Sequence, residues 1–120
     1  MRLQALRGAI SVDRNSAEAI RGATEWLLRE LLKRNGLVVE DVVSCIFTVT
    51  DDLDADFPAA AAREIGFQDT PLLCAREIPV PGALPRIVRV LVHYYSPHDG
   101  RPVHVYLGEA RELRRDLEAN

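Results

Sequence analysis

Thr70-Pro-Leu-Leu-Cys74-Ala-Arg-Glu77-Ile-Pro79-Val-Pro81-Gly-Ala-Leu-Pro85-Arg-Ile-Val-Arg89-Val-Leu-Val-His93-Tyr-Tyr95 is the stretch that decides the fold. Two apolar runs flank a connection whose prolines stop a helix or strand from passing through it, so the spacing predicts strands over 72–78 and 86–95. Glu77 closes the first run and Arg89 lies inside the second. A bare charge in an apolar setting costs several kcal/mol, so Arg89 requires either a structural carboxylate or an anionic ligand. Cys74 and Glu77 are three residues apart and face opposite ways in a regular strand. If both serve one site, the strand bends near Arg76 or Cys74 contributes its main chain and not its sulfur.

Upstream, Val-Val-Ser-Cys-Ile-Phe-Thr-Val-Thr over 42–50 is rich in β-branched residues and predicts a strand covered on both faces. Asp51, Asp52, Asp54 and Asp56 follow it. Three of them copy the start of a calcium loop, but Phe57 stands where the turn needs glycine and Arg63 where a bidentate glutamate belongs, so no metal site is assigned. The better account is a short helix over 59–65, opened by Pro58 and ended by Gly66, whose positive N-terminal end the aspartates complement. Phe57 is either a core staple or the exposed wall of a neighbouring site.

Residues 2–12 alternate loosely and predict a strand that breaks at Gly8, where Arg7 is either a solvated strand-end arginine or lies beside a glycine at which a backbone can approach a ligand. Asn15 and Glu18 form a capping pair for a helix over 16–34 that ends at Asn35-Gly36. Ile20, Ala23, Leu27, Leu28, Leu31 and Leu32 make its apolar face, with Trp26 packing at the edge. After a loop over 96–102, a last strand over 103–107 carries His104 and Tyr106 on one face. His104 reads as hydrogen-bonded structure and not as a catalyst. The charged tail 108–120, anchored by Leu113 and Leu117, is a terminal helix or a mobile flap.

The 120 residues carry a net charge of -3, and the reading is a single domain spanning 1–120. An acidic balance without a basic face argues against nucleic acid as a partner. The expected setting is the cytoplasm, with no membrane segment, and with Cys45 and Cys74 as free thiols in apolar surroundings. Of the fifteen basic residues fourteen are arginine, the side chain that grips carboxylates through a planar fork. No Ser, His and acid set, metal cluster or phosphate-cradling loop is present to support the usual routes of catalysis. Arg7, Glu77, Arg89 and Tyr106 remain, all at strand ends or inside strands. Two guanidiniums, a carboxylate and a phenol suit a small polyanion bearing a hydroxyl, for binding or for electrostatic catalysis without proton transfer.

Five segments in order, Leu6-Arg7-Gly8-Ala9, Phe57-Pro58-Ala59 with Arg63, Cys74-Ala75-Arg76-Glu77, Arg86-Ile87-Val88-Arg89-Val90 and His104-Val105-Tyr106-Leu107, resemble the motifs of the monofunctional chorismate mutases of the trimeric pseudo-α/β-barrel class. The resemblance covers residues 2–117. It implies an α+β, ferredoxin-like mixed sheet with helices on one face, and a homotrimer with active sites at the subunit interfaces. It implies chorismate as substrate, rearranged to prephenate with no cofactor.

On this resemblance Arg89, Glu77 and Arg7 are the catalytic residues. Arg89 meets the breaking ether bond, Arg7 and Tyr106 hold a carboxylate, and Glu77 accepts the ring hydroxyl from the wall opposite Arg89. Leu73, Cys74, Ala75 and Arg76 complete the substrate contacts, with Cys74 acting through its backbone. Phe57 and Arg63 come from the adjacent subunit, and the tail around Leu113 and Arg114 closes over the mouth. The chain departs from the pattern at Ala60, where some members carry a charge, in a shorter loop over 96–102, and at Arg115 in place of proline. The rival readings are a non-catalytic trimeric module for a small carboxylate metabolite and an imine deaminase of similar fold, whose glycine- and asparagine-containing signature is missing here.

Overall fold

The computed structural model describes residues 2–114. In chain order it forms β1 (Arg2–Ser11), α1 (Ala17–Arg34), β2 (Val42–Val49), α2 (Pro58–Glu64), β3 (Leu72–Arg76), β4 (Ile87–Ser96) and β5 (Val105–Leu107), with 3-10 helices at Val39–Asp41 and Gly108–Arg114. The strands make one mixed sheet in the order β3-β2-β4-β1-β5. β4 lies between β1 and β2 and is antiparallel to both, while the outer pairs β2–β3 and β1–β5 are parallel.

The first strand does not break. Gly8 sits within the ladder opposite Val90 and Val105. A Cβ there would lie 2.9 Å from Leu31 Cδ1 and 3.1 Å from Leu27 Cδ1. The missing side chain thus serves close packing of α1 on the sheet, not the approach of a ligand.

α1 begins one residue later than the capping pair suggested. Ser16 is the N-cap, its hydroxyl accepting the Ala19 N–H at 3.1 Å. Asn15 instead accepts the N–H groups of Asp54 and Ala55, both at 3.0 Å, and donates to Asp54 Oδ1. At the other end Asn35 exchanges two hydrogen bonds with the backbone of Val103, at 2.9 and 2.7 Å, and so acts as a strand partner for the segment entering β5. The buried face is Ile20, Leu27, Leu28 and Leu31, joined by Thr24, whose hydroxyl donates to the Ile20 carbonyl. Trp26 is exposed.

Strand alternation divides the sheet into two faces. Leu6, Ile10, Cys45, Phe47, Val88, Val90, Val92 and Val105 point to the helix side and form the main core with α1 and α2. Burial pushes the Cys45 thiol up to about 12. The other face is largely open: Leu3, Val43, Leu73 and Tyr95 are exposed. β2 is therefore covered on one face and not two, and the Arg89 side chain is 45% exposed, so its charge lies outside the core. The apolar run around it was a two-faced signal in a strand with only one face covered. One end of the open face is roofed by the second 3-10 helix, whose Ala110 packs with Ala9 and Ile87 against Leu84, Tyr106 and Leu113.

The aspartate segment has separate structural tasks. Asp52 accepts the Arg86 backbone N–H with both oxygens, at 3.1 and 3.0 Å, and also the Thr50 hydroxyl. Asp54 answers Asn15, and Asp56 pairs with Arg21 and accepts the Phe57 N–H. Only Asp56 meets the start of α2. No helix among the described residues is long and apolar enough to cross a membrane.

Two stability outcomes follow from this packing. Gly8→Val should destabilise the protein by about 1–3 kcal/mol through overpacking against Leu27 and Leu31. Gly22→Ala, in α1 with no atom within 4 Å of the new Cβ, should stabilise it by roughly 0.5–1 kcal/mol; urea titrations compare the two. The Arg21 hydrogen bond, then the Phe57 N–H, hold the Asp56 carboxyl below its ordinary value. A depressed carboxylate stabilises the fold above its unfolded pKa and loses that effect as pH falls through the folded one. Asp56→Asn should therefore flatten the fall in melting temperature below the ordinary carboxylate range, read by thermal scans from neutral to acid pH.

Candidate active site

Cross-strand register assembles the site on the open face. Ala75, Thr48, Arg89, Ala9 and Tyr106 are successive partners across β3, β2, β4, β1 and β5, and so form one row over the sheet. Arg7 is two residues from Ala9 and faces the same way, in the row of Leu91, Ile46 and Leu73. With neighbouring strands about 4.8 Å apart, Arg89 and Tyr106 stand roughly 10 Å from each other across Ala9. Ala9, between the cation and the phenol, is itself buried beneath Ala110 of the second 3-10 helix.

Glu77 follows the last residue of β3. Its N–H donates to the Val49 carbonyl at 2.9 Å, which carries the strand direction one step past the ladder. Its carboxylate returns to the row: Oε2 accepts from Arg89 Nε at 2.9 Å and from the Thr48 hydroxyl at 2.9 Å. Glu77 and Arg89 are thus in direct contact and do not stand as opposite walls. A groove of about 270 Å³ opens beside the carboxylate, lined by Thr50, Asp52, Ile78, Val80 and Leu84 among others. A larger one of about 380 Å³ is lined by Arg2, Gln4 and residues 96–100, at the far end of β1 and β4, and has none of these groups.

Arg7 is exposed on the open face, and its main chain is held by an unexpected acceptor. The Arg7 N–H donates to His104 Nδ1 at 2.9 Å. β5 starts at Val105, not at 103, and the imidazole replaces the ladder carbonyl at this position. The structural reading of His104 holds, with the added consequence that it fixes the strand position from which Arg7 projects.

The Cys74-Ala75-Arg76-Glu77 segment is split by alternation. Leu73 and Ala75 face the site, whereas Cys74 partners Phe47 and packs against the core. Arg76 partners Val49 and is exposed. Side chains of Cys74 and Arg76 are therefore turned from the face that holds Glu77 and Arg89, leaving their main-chain groups as what they can offer there. Phe57, 67% exposed, and Arg63 lie at the two ends of α2 in the helix layer, apart from the open face of their own chain. Leu113 packs beside Tyr106 in the roof, while Arg115, Leu117 and the Arg114 side chain lie outside the described residues.

Sequence reasoning missed Thr48 and Asp52 as supports, and read His104 as hydrogen-bonded structure without its partner, the Arg7 N–H. Thr48 was legible only as a β-branched strand residue, because its partner Glu77 is far along the chain and the parallel β2–β3 register was unknown.

The arrangement can bind an anion through Arg7 and Arg89, accept a donor at Glu77 and present a phenol at Tyr106. A sequence profile of the family chorismate mutase type I matches residues 3–117. The chain is 51% identical over 120 residues to the chorismate mutase AroH of Thermus thermophilus, covering 98% of each chain. It is 38% identical to the chorismate mutase AroH of Bacillus subtilis (strain 168), over 98% of this chain and 94% of that one. Among solved structures, a chorismate mutase from Clostridium thermocellum superposes with a TM-score of 0.89 at 47% identity, covering 92% of this chain and 99% of the other. Full-length identity, family profile and backbone agree, and the chain belongs to the chorismate mutase type I family.

Proposed function

We propose that this protein is a chorismate mutase, converting chorismate to prephenate by intramolecular rearrangement in the synthesis of phenylalanine and tyrosine. The observation that carries the reading is the gathering of Arg7, Glu77, Arg89 and Tyr106 on one face from separate strands. The reaction breaks a carbon–oxygen bond and forms a carbon–carbon bond within one molecule. It needs no proton transfer and no covalent intermediate, so charged groups placed around the substrate suffice for it.

In this reading Arg89 keeps Nε on Glu77 and turns its terminal nitrogens to the ether oxygen, where negative charge grows as the bond breaks. That interaction is stronger in the transition state than in the ground state and so lowers the barrier. Arg7 and Tyr106 hold the carboxylate of the enolpyruvyl arm and favour the folded conformer in which the reacting carbons meet. Glu77 accepts the ring hydroxyl, with main-chain groups of residues 73–76 alongside.

The reading extends to a homotrimer built from ferredoxin-like units, whose open sheet faces pack into a pseudo-α/β-barrel. Leu3, Val43, Leu73 and Tyr95 on that face are 40–61% exposed in the single chain, and an apolar face of this kind marks an association surface. Phe57 and Arg63, turned from the site of their own chain, then complete a neighbour's site as wall and cationic entrance. The chain acts as one domain in the cytoplasm, with the 3-10 helix Gly108–Arg114 over one end of the open face.

Purified protein incubated with chorismate should yield prephenate well above the spontaneous rate; tight binding without product would instead favour a non-catalytic module. Arg89→Ala should lower kcat by at least about a thousandfold, and Arg89→Lys nearly as much, because a point charge cannot serve Glu77 and the ether oxygen together. Sedimentation equilibrium should give about 40 kDa, three times the 13.4 kDa chain. Leu3→Asp should shift that mass toward the monomer and reduce turnover, although Leu3 is remote from the site along β1.

A further inference from the structure

We infer that Thr48 is a positioning residue for this reaction, acting through Glu77 on both the carboxylate and the Arg89 guanidinium. The inference rests on the chorismate mutase reading of the site. Thr48 lies in the row between Ala75 and Arg89. A threonine in a strand is ordinarily explained by its β-branch, and valine would then serve equally well. Here the hydroxyl itself is engaged, donating to Glu77 Oε2 at 2.9 Å.

The geometry of that oxygen carries the argument. Arg89 reaches it through Nε at 2.9 Å. A guanidinium and a carboxylate left to themselves favour the two-toothed pairing, in which two N–H groups meet both oxygens. That pairing would occupy Oε1 and a terminal nitrogen of Arg89 together, the two groups assigned to the ring hydroxyl and the ether oxygen. The Thr48 hydroxyl gives Oε2 a second donor from the neighbouring strand and anchors it. The carboxylate then cannot rotate onto the guanidinium without losing this bond. Both contacts fall on Oε2, which leaves Oε1 and the Arg89 terminal nitrogens outside these bonds. The main chain at Glu77 is tied beyond the end of β3 by its bond to Val49, so the side-chain torsions are the freedom that remains, and Thr48 restricts them.

Thr48→Val keeps the β-branch and removes the donor; Thr48→Ser keeps the donor and removes the methyl. Thr48→Val should lower kcat about ten- to thirtyfold, the loss expected for one hydrogen bond to a charged group, with KM changed less than about threefold. Thr48→Ser should recover most of the rate. In a Glu77→Gln background, Thr48→Val should change kcat by less than about twofold, because its route runs through the carboxylate. Equal losses in Val and Ser, an unaffected Val variant, or additive losses with Glu77→Gln would each overturn the proposal.

A readout independent of turnover is the Arg89 side-chain nitrogen spectrum, assigned with Arg89→Lys. The Nε–H signal should move, and rotation of the terminal amino groups should slow, in Thr48→Val but not in Thr48→Ser. Unchanged spectra in Thr48→Val would defeat the positioning role. A wild-type protein without mutase activity would instead defeat the functional reading, while the spectra still decide what Thr48 does to Glu77 and Arg89.

Discussion

A residue in a strand faces one of two layers, and a shift of one position exchanges them. The central strand β4 is where this constraint governs the molecule. Val88, Val90 and Val92 join the helix-side core, while Arg89, Leu91 and His93 lie on the other face. Because β4 is hydrogen-bonded to both β1 and β2, its parity sets that of the sheet. Arg7 on β1, Thr48 on β2 and Tyr106 on β5 inherit their facing from it. Packing of the core and assembly of the site are therefore one decision, made by alternation in a strand whose sequence looks almost uniformly apolar.

That uniformity explains what was hidden in the sequence. The helix 16–34 was legible because its period and its ends agree, and the strands were legible as segments because proline and glycine bound them. Which face of a strand is covered was not legible. An apolar run such as Ile87 to Val92 is compatible with burial on both sides, and Arg89 then looks like a buried charge. In the chain it is a partly exposed cation on a carboxylate. The pairing of Glu77 with Arg89 lay within reach of the sequence, since a charge so placed demands a partner. The Thr48 hydroxyl did not, because it depends on β2 lying between β3 and β4.

The parts of the site that were readable carried unusual chemistry at their positions: two arginines, a glutamate and a tyrosine in strand settings. The parts that were not readable are ordinary residues made specific by tertiary contact. His104 holds the Arg7 main chain through Nδ1. Asn35 holds Val103 and so the approach to β5. Gly8, a strand breaker by pattern, is instead a place where Leu27 and Leu31 of α1 press close on the strand that bears Arg7. Each of these acts on the position of an element, and local sequence does not encode what an element will touch.

The aspartate segment shows the same logic at longer range. Arg86 adopts φ 51°, a left-handed conformation that disfavours a non-glycine residue. Three bonds offset that strain: its N–H is held by Asp52, its Nε donates to the Val12 carbonyl, and its own carbonyl accepts the Val12 N–H at 2.8 Å. Thr50 adds the next link, accepting the Ile87 N–H through its hydroxyl while its own N–H meets the Ile87 carbonyl. The start of β4 is thus gripped from the β1 side by Val12 and from the β2 side by Thr50 and Asp52. Those grips sit three residues before Arg89 and oppose the one-residue slip that would turn Arg89 into the core and Val88 and Val90 out of it. The acid-rich turn, whose spacing copies the start of a calcium loop, instead fixes the register of the strand that bears Arg89.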